Sequence, residues 1–207
     1  MTLGSMKSIP NKILVATRNP GKLNEIRALL KRTPIEFVSL ASFPELPEVV
    51  EDGEMFEENA SKKARIMAKA TGIVTLADDS GLCIDALNGR PGVLSARYAG
   101  EGASDAEKCA RILSEMKDVP DSLRTARFVC VLALATPGGE ERLFRSACEG
   151  RITREPRGAA GFGYDPIFYY PESGCTFAEM DPESKNRVSH RGRALSQLRN
   201  YLEELLV

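Results

Sequence analysis

Two adjacent acids, Asp78 and Asp79, stand at the end of the apolar run Ile73-Val74-Thr75-Leu76-Ala77 and are followed by Ser80 and Gly81. Like charges side by side are costly unless a cation lies between or beside them. The run before them is short, partly β-branched and preceded by Gly72, which predicts a buried strand that stops at the acids. Ligand sites in α/β sheets lie just beyond the carboxyl ends of strands. The same residues also suit a plain acidic turn, because Asp, Ser and Gly are ordinary turn formers.

Three further clusters bear on the choice. Thr17-Arg18-Asn19-Pro20-Gly21-Lys22 joins a strand-like run to a helical pattern, so backbone N–H groups and the positive helix end are offered to an anion. Lys22 adds charge, and Thr17 and Asn19 add donors. The segment is not a Walker A loop, which needs GxxxxGK[ST]. Alone, it is better explained as an ordinary turn with Asn19 as cap and Pro20 at the first helical position. Glu51 precedes a helix that carries Glu57, Glu58, Asn59 and Lys63, with Asn59 and Lys63 on one face at i, i+4. Acids in a first helical turn need no further reason, but helix electrostatics does not require Glu51.

The third cluster, Gly158-Ala159-Ala160-Gly161-Phe162-Gly163-Tyr164-Asp165-Pro166, surrounds an aromatic with glycines. This suits close backbone approach to a flat ligand, with Phe162 able to stack on a base. It equally suits a loop in which Phe162 plugs the core, and Tyr164 is expected to be core. Lys185-Asn186-Arg187-Val188-Ser189-His190-Arg191 and Arg193 hold the only histidine within a basic run. Basic runs are commonly solvated faces, but Ser189 and His190 interrupt this one, as a specific polar pocket would.

These residues must be positioned by regular elements. Lys12 to Ala16 reads as a strand, then a helix through Leu30 ended by Thr33-Pro34, a strand over Phe37–Leu40 and a helix from Met55 to Ala70 stopped by Gly72. Asp105 to Met116 is predicted helical with Ser104 as N-cap. Ala126 to Thr136 reads as a buried strand, and Pro137-Gly138-Gly139 turns it into a further strand over Glu141–Glu149. Arg154 to Asp165 is irregular, Asp181 to His190 is a polar segment, and Arg191 to Leu206 is a closing amphipathic helix. The pattern predicts an α/β fold with a mixed β-sheet flanked by helices, and two lobes with a cleft between them.

The bulk properties set limits. The 207 residues are 43% hydrophobic, enough for a substantial core in one domain, expected over 7–207, with residues 1–6 a leader or alternative start. A formal net charge of −1 gives no basic excess, so no nucleic-acid partner is expected. No apolar run approaches the ~20 residues of a membrane span, and no membrane partner is expected. The five cysteines form no CxxC pair and read as free thiols in a reducing compartment, so a cytoplasmic location is expected.

Taken in order, Thr17-x-Asn19-x-x-Lys22, Asp78-Asp79-Ser80-Gly81-Leu82, Pro91-Gly92 with Ser95-Ala96-Arg97-Tyr98, Phe162-Gly163-Tyr164-Asp165-Pro166 and Ser189-His190-Arg191 resemble the inosine triphosphate pyrophosphatase family. These are the non-standard purine nucleoside triphosphate pyrophosphatases, and the resemblance covers nearly the whole chain. It implies an elongated mixed sheet, a homodimer, and hydrolysis of ITP, dITP and XTP to the monophosphate plus pyrophosphate with Mg2+. Carried over by position, Thr17, Arg18, Asn19, Pro20, Gly21 and Lys22 bind the triphosphate. Asp79 is the proton acceptor and a metal-linked carboxylate, and Glu51 is a second metal carboxylate. Ser80 touches substrate, and Phe162, Gly163, Tyr164, Asp165, Lys185, His190 and Arg191 bind the nucleotide.

The chemistry of the residues agrees with that assignment. Lys22, Lys63 and Lys185, with a magnesium ion, would offset the charge of a triphosphate during in-line displacement. Magnesium keeps several waters, so one or two carboxylates suffice to hold it. A donor aimed at O6, from backbone or from Arg191, would admit hypoxanthine and xanthine and reject adenine. Excluding guanine needs a second donor or lack of room near C2, for which His190 or Arg191 is the candidate. The alternatives are a pyrophosphatase for modified pyrimidines or dUTP, and a non-catalytic nucleotide sensor.

Overall fold

The computed structural model describes residues 10–31 and 33–205. The expected leader over residues 1–6, and Leu206 of the expected closing helix, lie outside these. The described residues fall into two compact units. The first takes those up to Asp79, Cys130–Ser146 and those from Arg191 onward; the second takes Ser80–Val129 and Ala147–His190.

Seven strands form a mixed sheet in the order β2-β1-β3-β4-β5-β6-β7. They are β1 (Lys12–Val15), β2 (Glu36–Ser39), β3 (Val74–Ile84), β4 (Thr125–Ala135), β5 (Glu141–Ile152), β6 (Phe168–Tyr170) and β7 (Cys175–Thr176). β1 pairs in parallel with β2, Ile13 opposite Phe37, and with β3, Leu14 opposite Thr75. β6 pairs antiparallel with both β5 and β7. The helices are α1 (Pro20–Leu30), α2 (Phe56–Thr71), α3 (Asp105–Glu115), α4 (Pro182–Val188) and α5 (His190–Glu204).

The local reasons are legible. α2 buries Phe56, Asn59, Ala60, Ala64, Met67 and Ala68, one stripe at helical spacing. It stops at Gly72, whose left-handed φ of 70° an L side chain would resist. α3 carries a reciprocal capping box, Ser104 receiving the Glu107 N–H while the Glu107 carboxylate receives that of Ser104. Each unit has its own core. In the first, Ile13, Val15, Leu76, Leu132 and Leu134 meet Ile26 and Leu30 of α1 and Leu195, Leu198 and Leu202 of α5. In the second, Leu82, Ile84, Ile112, Met116 and Ile152 surround Phe128, Phe168 and Phe177, with the Phe128 and Phe168 rings 4.5 Å apart.

Three expectations change. The strand expected to stop at the acids runs on through Asp78, Asp79, Ser80 and Gly81 to Ile84. A charged residue can stay in a buried strand when its charge is matched in place, and Asp78 is matched. The polar segment 181–190 contains α4, begun by an Asp181 side chain that accepts the Ser184 N–H at 2.8 Å. The short strands β6 and β7 have no counterpart in the periodicity, because two or three residues give no readable alternation.

Gly150 on β5 is where close packing dictates residue type. A Cβ there would lie 2.5 Å from Phe168 Cζ and 2.6 Å from the Tyr169 carbonyl oxygen. Gly150→Ala is expected to lower stability by about 1–3 kcal/mol, the usual cost of an overpacked site, as measured by chemical denaturation.

Candidate active site

The first unit builds its site around β3. Asp78 is buried, and its carboxylate receives Nε of Arg191 at 2.8 Å and the Lys22 ammonium. The Cys130 thiol donates to the same carboxylate at 3.4 Å. Arg191 is itself buried and donates from Nη1 to Glu25 at 2.6 Å. Burial opposes ionisation of Asp78, but Arg191 and Lys22 hold its carboxyl well below the usual carboxylate range.

Asp79, next along the strand, has the opposite environment. Burial raises its carboxyl to about 6; Lys22, Lys63 and a hydrogen bond from Asn59 pull it down, and the nearby Glu51 carboxylate pushes it up. Its Oδ2 is buried and has no hydrogen-bond partner among the described residues. Glu51 is paired with Lys63, whose ammonium also donates to the Asp78 carbonyl at 3.1 Å. Asn59 ties this group to the preceding loop, accepting the Gly53 N–H at 2.8 Å.

The turn before α1 has the geometry its residues predict. Asn19 caps the helix by accepting the Lys22 N–H at 3.0 Å, Pro20 starts it, and the Thr17 hydroxyl accepts the Asn19 N–H at 3.1 Å. Arg18, Asn19 and Pro20 are exposed, and Gly21 is half-buried. Arg18 reaches the Leu46 carbonyl at 3.3 Å.

The second unit assembles another set. Asp165 is buried, and its Oδ2 receives the Lys185 ammonium at 2.7 Å and the Phe162 N–H at 2.9 Å. The same ammonium lies 4.6 Å from the centre of the Phe162 ring, a cation–π arrangement. Phe162 is half-buried and so is not a core plug, whereas Tyr164 is core, its hydroxyl donating to the Ser95 carbonyl at 2.8 Å. Gly163 is half-buried at a left-handed φ of 64°. A Cβ on Gly158 would fall on the Ala178 carbonyl, which explains a glycine there. His190 is buried with its ring stacked on Phe128 at 4.6 Å, and Ser80 is half-buried on β3.

The residues expected from the sequence thus collect in two groups. Glu51, Lys63 and Asp79 come together, and Lys22 and Arg191 join at Asp78. Phe162, Asp165 and Lys185 form the other group. Arg191 has partners that the sequence did not reveal: two of its guanidinium nitrogens donate to Asp78 and Glu25. Glu25 and Cys130 were missed, although Glu25 lies three residues after Lys22 on one face of α1.

The donor set of the first group fits a magnesium ion. Glu51 and Asp79 supply two hard oxygen donors, and Asp79 Oδ2 is a buried acceptor with capacity left over. Among the described residues there is no cluster of three or more acidic, His or Cys groups that could hold a metal ion.

A family model matches residues 13–201, that of the Ham1 family. The dITP/XTP pyrophosphatase of Geobacter sulfurreducens is 54% identical over 191 residues, covering 92% of this chain and 96% of its own. That of Shouchella clausii is 51% identical, covering 93% and 97%. Among solved structures, a HAM1 protein from Coxiella burnetii superposes with a TM-score of 0.86 at 48% identity, covering 93% of this chain and 98% of its own. The fold and site are those of an α/β protein with paired acids and lysines, and the chain belongs to the Ham1 family.

Removing one partner from a buried ion pair leaves an uncompensated charge, which costs about 3–5 kcal/mol. Arg191→Met is expected to lose that much stability at neutral pH by urea unfolding. Asp78 is held below its ordinary value of about 3.9, so its stabilisation is present at neutral pH and is lost as pH falls through the carboxylate range. The difference between the two proteins should therefore shrink in acid.

Proposed function

We propose that this chain hydrolyses non-standard purine nucleoside triphosphates, ITP, dITP and XTP, to the monophosphate plus pyrophosphate, and so clears them from the nucleotide pool. The observation that carries this reading is Asp79: a buried carboxylate, raised to about 6, with an unsatisfied oxygen beside a second carboxylate and two lysines. Identities of 54% and 51% to dITP/XTP pyrophosphatases over more than nine-tenths of the chain support it. A sensor that only bound phosphate would gain nothing from acids facing the anion, which favours an enzyme over that alternative.

In this reading Asp79 orients the attacking water and takes its proton. Burial makes the Asp79 carboxylate a stronger base than an exposed one. Glu51 and Asp79 would hold Mg2+, which would supply acidification of a bound water and offset charge on the phosphoryl oxygens. The backbone N–H groups at the start of α1, with Thr17, Asn19 and Lys22, receive the triphosphate. Lys63 can exchange its carboxylate partner for a phosphate oxygen, and Lys22 has further N–H donors to offer a phosphate while it keeps Asp78, so their charge is already positioned when the substrate arrives. Phe162 stacks on the base, and Asp165 and Lys185 fix that ring.

The family resemblance further supports a homodimer acting in the cytoplasm, with no nucleic-acid or membrane partner. No helix among the described residues is long and apolar enough to cross a membrane.

The test is pyrophosphate release from a panel of triphosphates. ITP, dITP and XTP should be turned over with at least about tenfold higher kcat/KM than ATP, GTP or dUTP, and chelation of divalent ions should abolish release. A preference for dUTP or a modified pyrimidine would replace the purine assignment. Asp79→Asn should lower kcat by at least about a hundredfold, the usual contribution of a general base, with the unfolding midpoint unchanged or raised. Near-normal kcat in that variant would remove Asp79 from its role.

A further inference from the structure

The glycine-rich loop that carries Phe162 is held from two sides. Asp165 grips it through the Phe162 N–H at 2.9 Å. The other grip comes from α3, which neither the motifs nor the proposed mechanism involves. Asp105, the first residue of α3, accepts the Gly163 N–H at 2.6 Å. Cys109, one turn later on the same helix face, donates its thiol to the Gly163 carbonyl at 3.5 Å. The two polar groups of Gly163, on either side of its left-handed Cα, are therefore fixed by one helix.

α3 is a rigid support for this purpose. The Ser104–Glu107 capping box defines its start, and Cys109 and Ile112 anchor it in the second unit's core. Lys108 pairs with Asp105 at 2.6 Å and keeps its carboxylate in place. A carboxylate accepting a backbone N–H is a charge-assisted bond, stronger than a neutral one. Without it, Gly163 would be free to rotate, and the Phe162 ring would lose its fixed height over the Lys185 ammonium.

We propose that Asp105 is a positioning residue for base recognition: by fixing Gly163 from α3, it sets the Phe162 ring against which a purine stacks. The inference rests on the nucleotide reading given above and assigns α3 a part in it. Asp105 does not itself touch the substrate, so its removal should weaken ground-state capture and leave the chemical step intact.

A double-mutant cycle on ITP hydrolysis tests this. Asp105→Ala is expected to raise KM roughly tenfold, the size of one charge-assisted hydrogen bond, with kcat within about twofold of wild type. Asp105→Asn, which retains an acceptor oxygen, should recover part of the loss. In a Phe162→Ala background the Asp105→Ala change should add less than about twofold, because the residue acts through the ring. Hydrogen exchange at the Gly163 amide should accelerate in Asp105→Ala while the unfolding midpoint shifts little, since Asp105 is half exposed. An unchanged KM or Gly163 exchange rate, or a full-sized effect persisting without Phe162, overturns the inference. Wild-type protein that releases no pyrophosphate from ITP removes the nucleotide reading and this inference with it; an active wild type with an unaffected Asp105→Ala variant removes the inference alone.

Discussion

The structure of the first unit depends on one charge balance. Asp78 is a carboxylate in a buried β-strand, a placement that costs several kcal/mol if nothing answers it. Arg191 and Lys22 answer it from two helices remote in sequence, and Glu25 answers the surplus on Arg191. Such a cluster gains little net stability over apolar residues of the same volume, but it fails badly if any one member is lost. It therefore pins the starts of α1 and α5 to a single point on β3. The start of α1 is held at β3 by that constraint, in addition to its local Asn19 cap and Pro20.

With Asp78 neutralised, its neighbour is free to be different. Adjacent residues on a strand point to opposite sides, so Asp78 can be buried among cations while Asp79 faces a second carboxylate. The two acids end with carboxyls displaced in opposite directions from the same starting value. That separation is the physical content of the acidic pair: one group is structural, and the other is left poised near neutrality.

Much of this was legible in the sequence. The helix expected over Met55 to Ala70 and stopped by Gly72 is found over Phe56–Thr71, and α3 was legible from its Ser104 cap. Asp79, Phe162 and Asp165 were carried by motif order, Glu51 and Lys185 by the family resemblance, and Lys63 by its charge and its place on the helix face of Asn59. The strand through the acids was not legible, because the pairing that permits it joins residues 113 positions apart. Local pattern rules judge Asp-Asp-Ser-Gly as a turn and have no access to a guanidinium supplied from the far end of the chain. The partners of Arg191 were hidden for the same reason: Asp78 and Glu25 lie 113 and 166 positions away.

Asn59 illustrates how tightly the first unit's acidic loop and base are joined. One side-chain amide accepts from the Gly53 backbone and hydrogen-bonds Asp79. Displacement of the loop carrying Glu51 would pull on that amide, and through it on the Asp79 carboxylate. Glu51 and Asp79 are thereby geared to one another: whatever draws one into place also sets the angle of its counterpart.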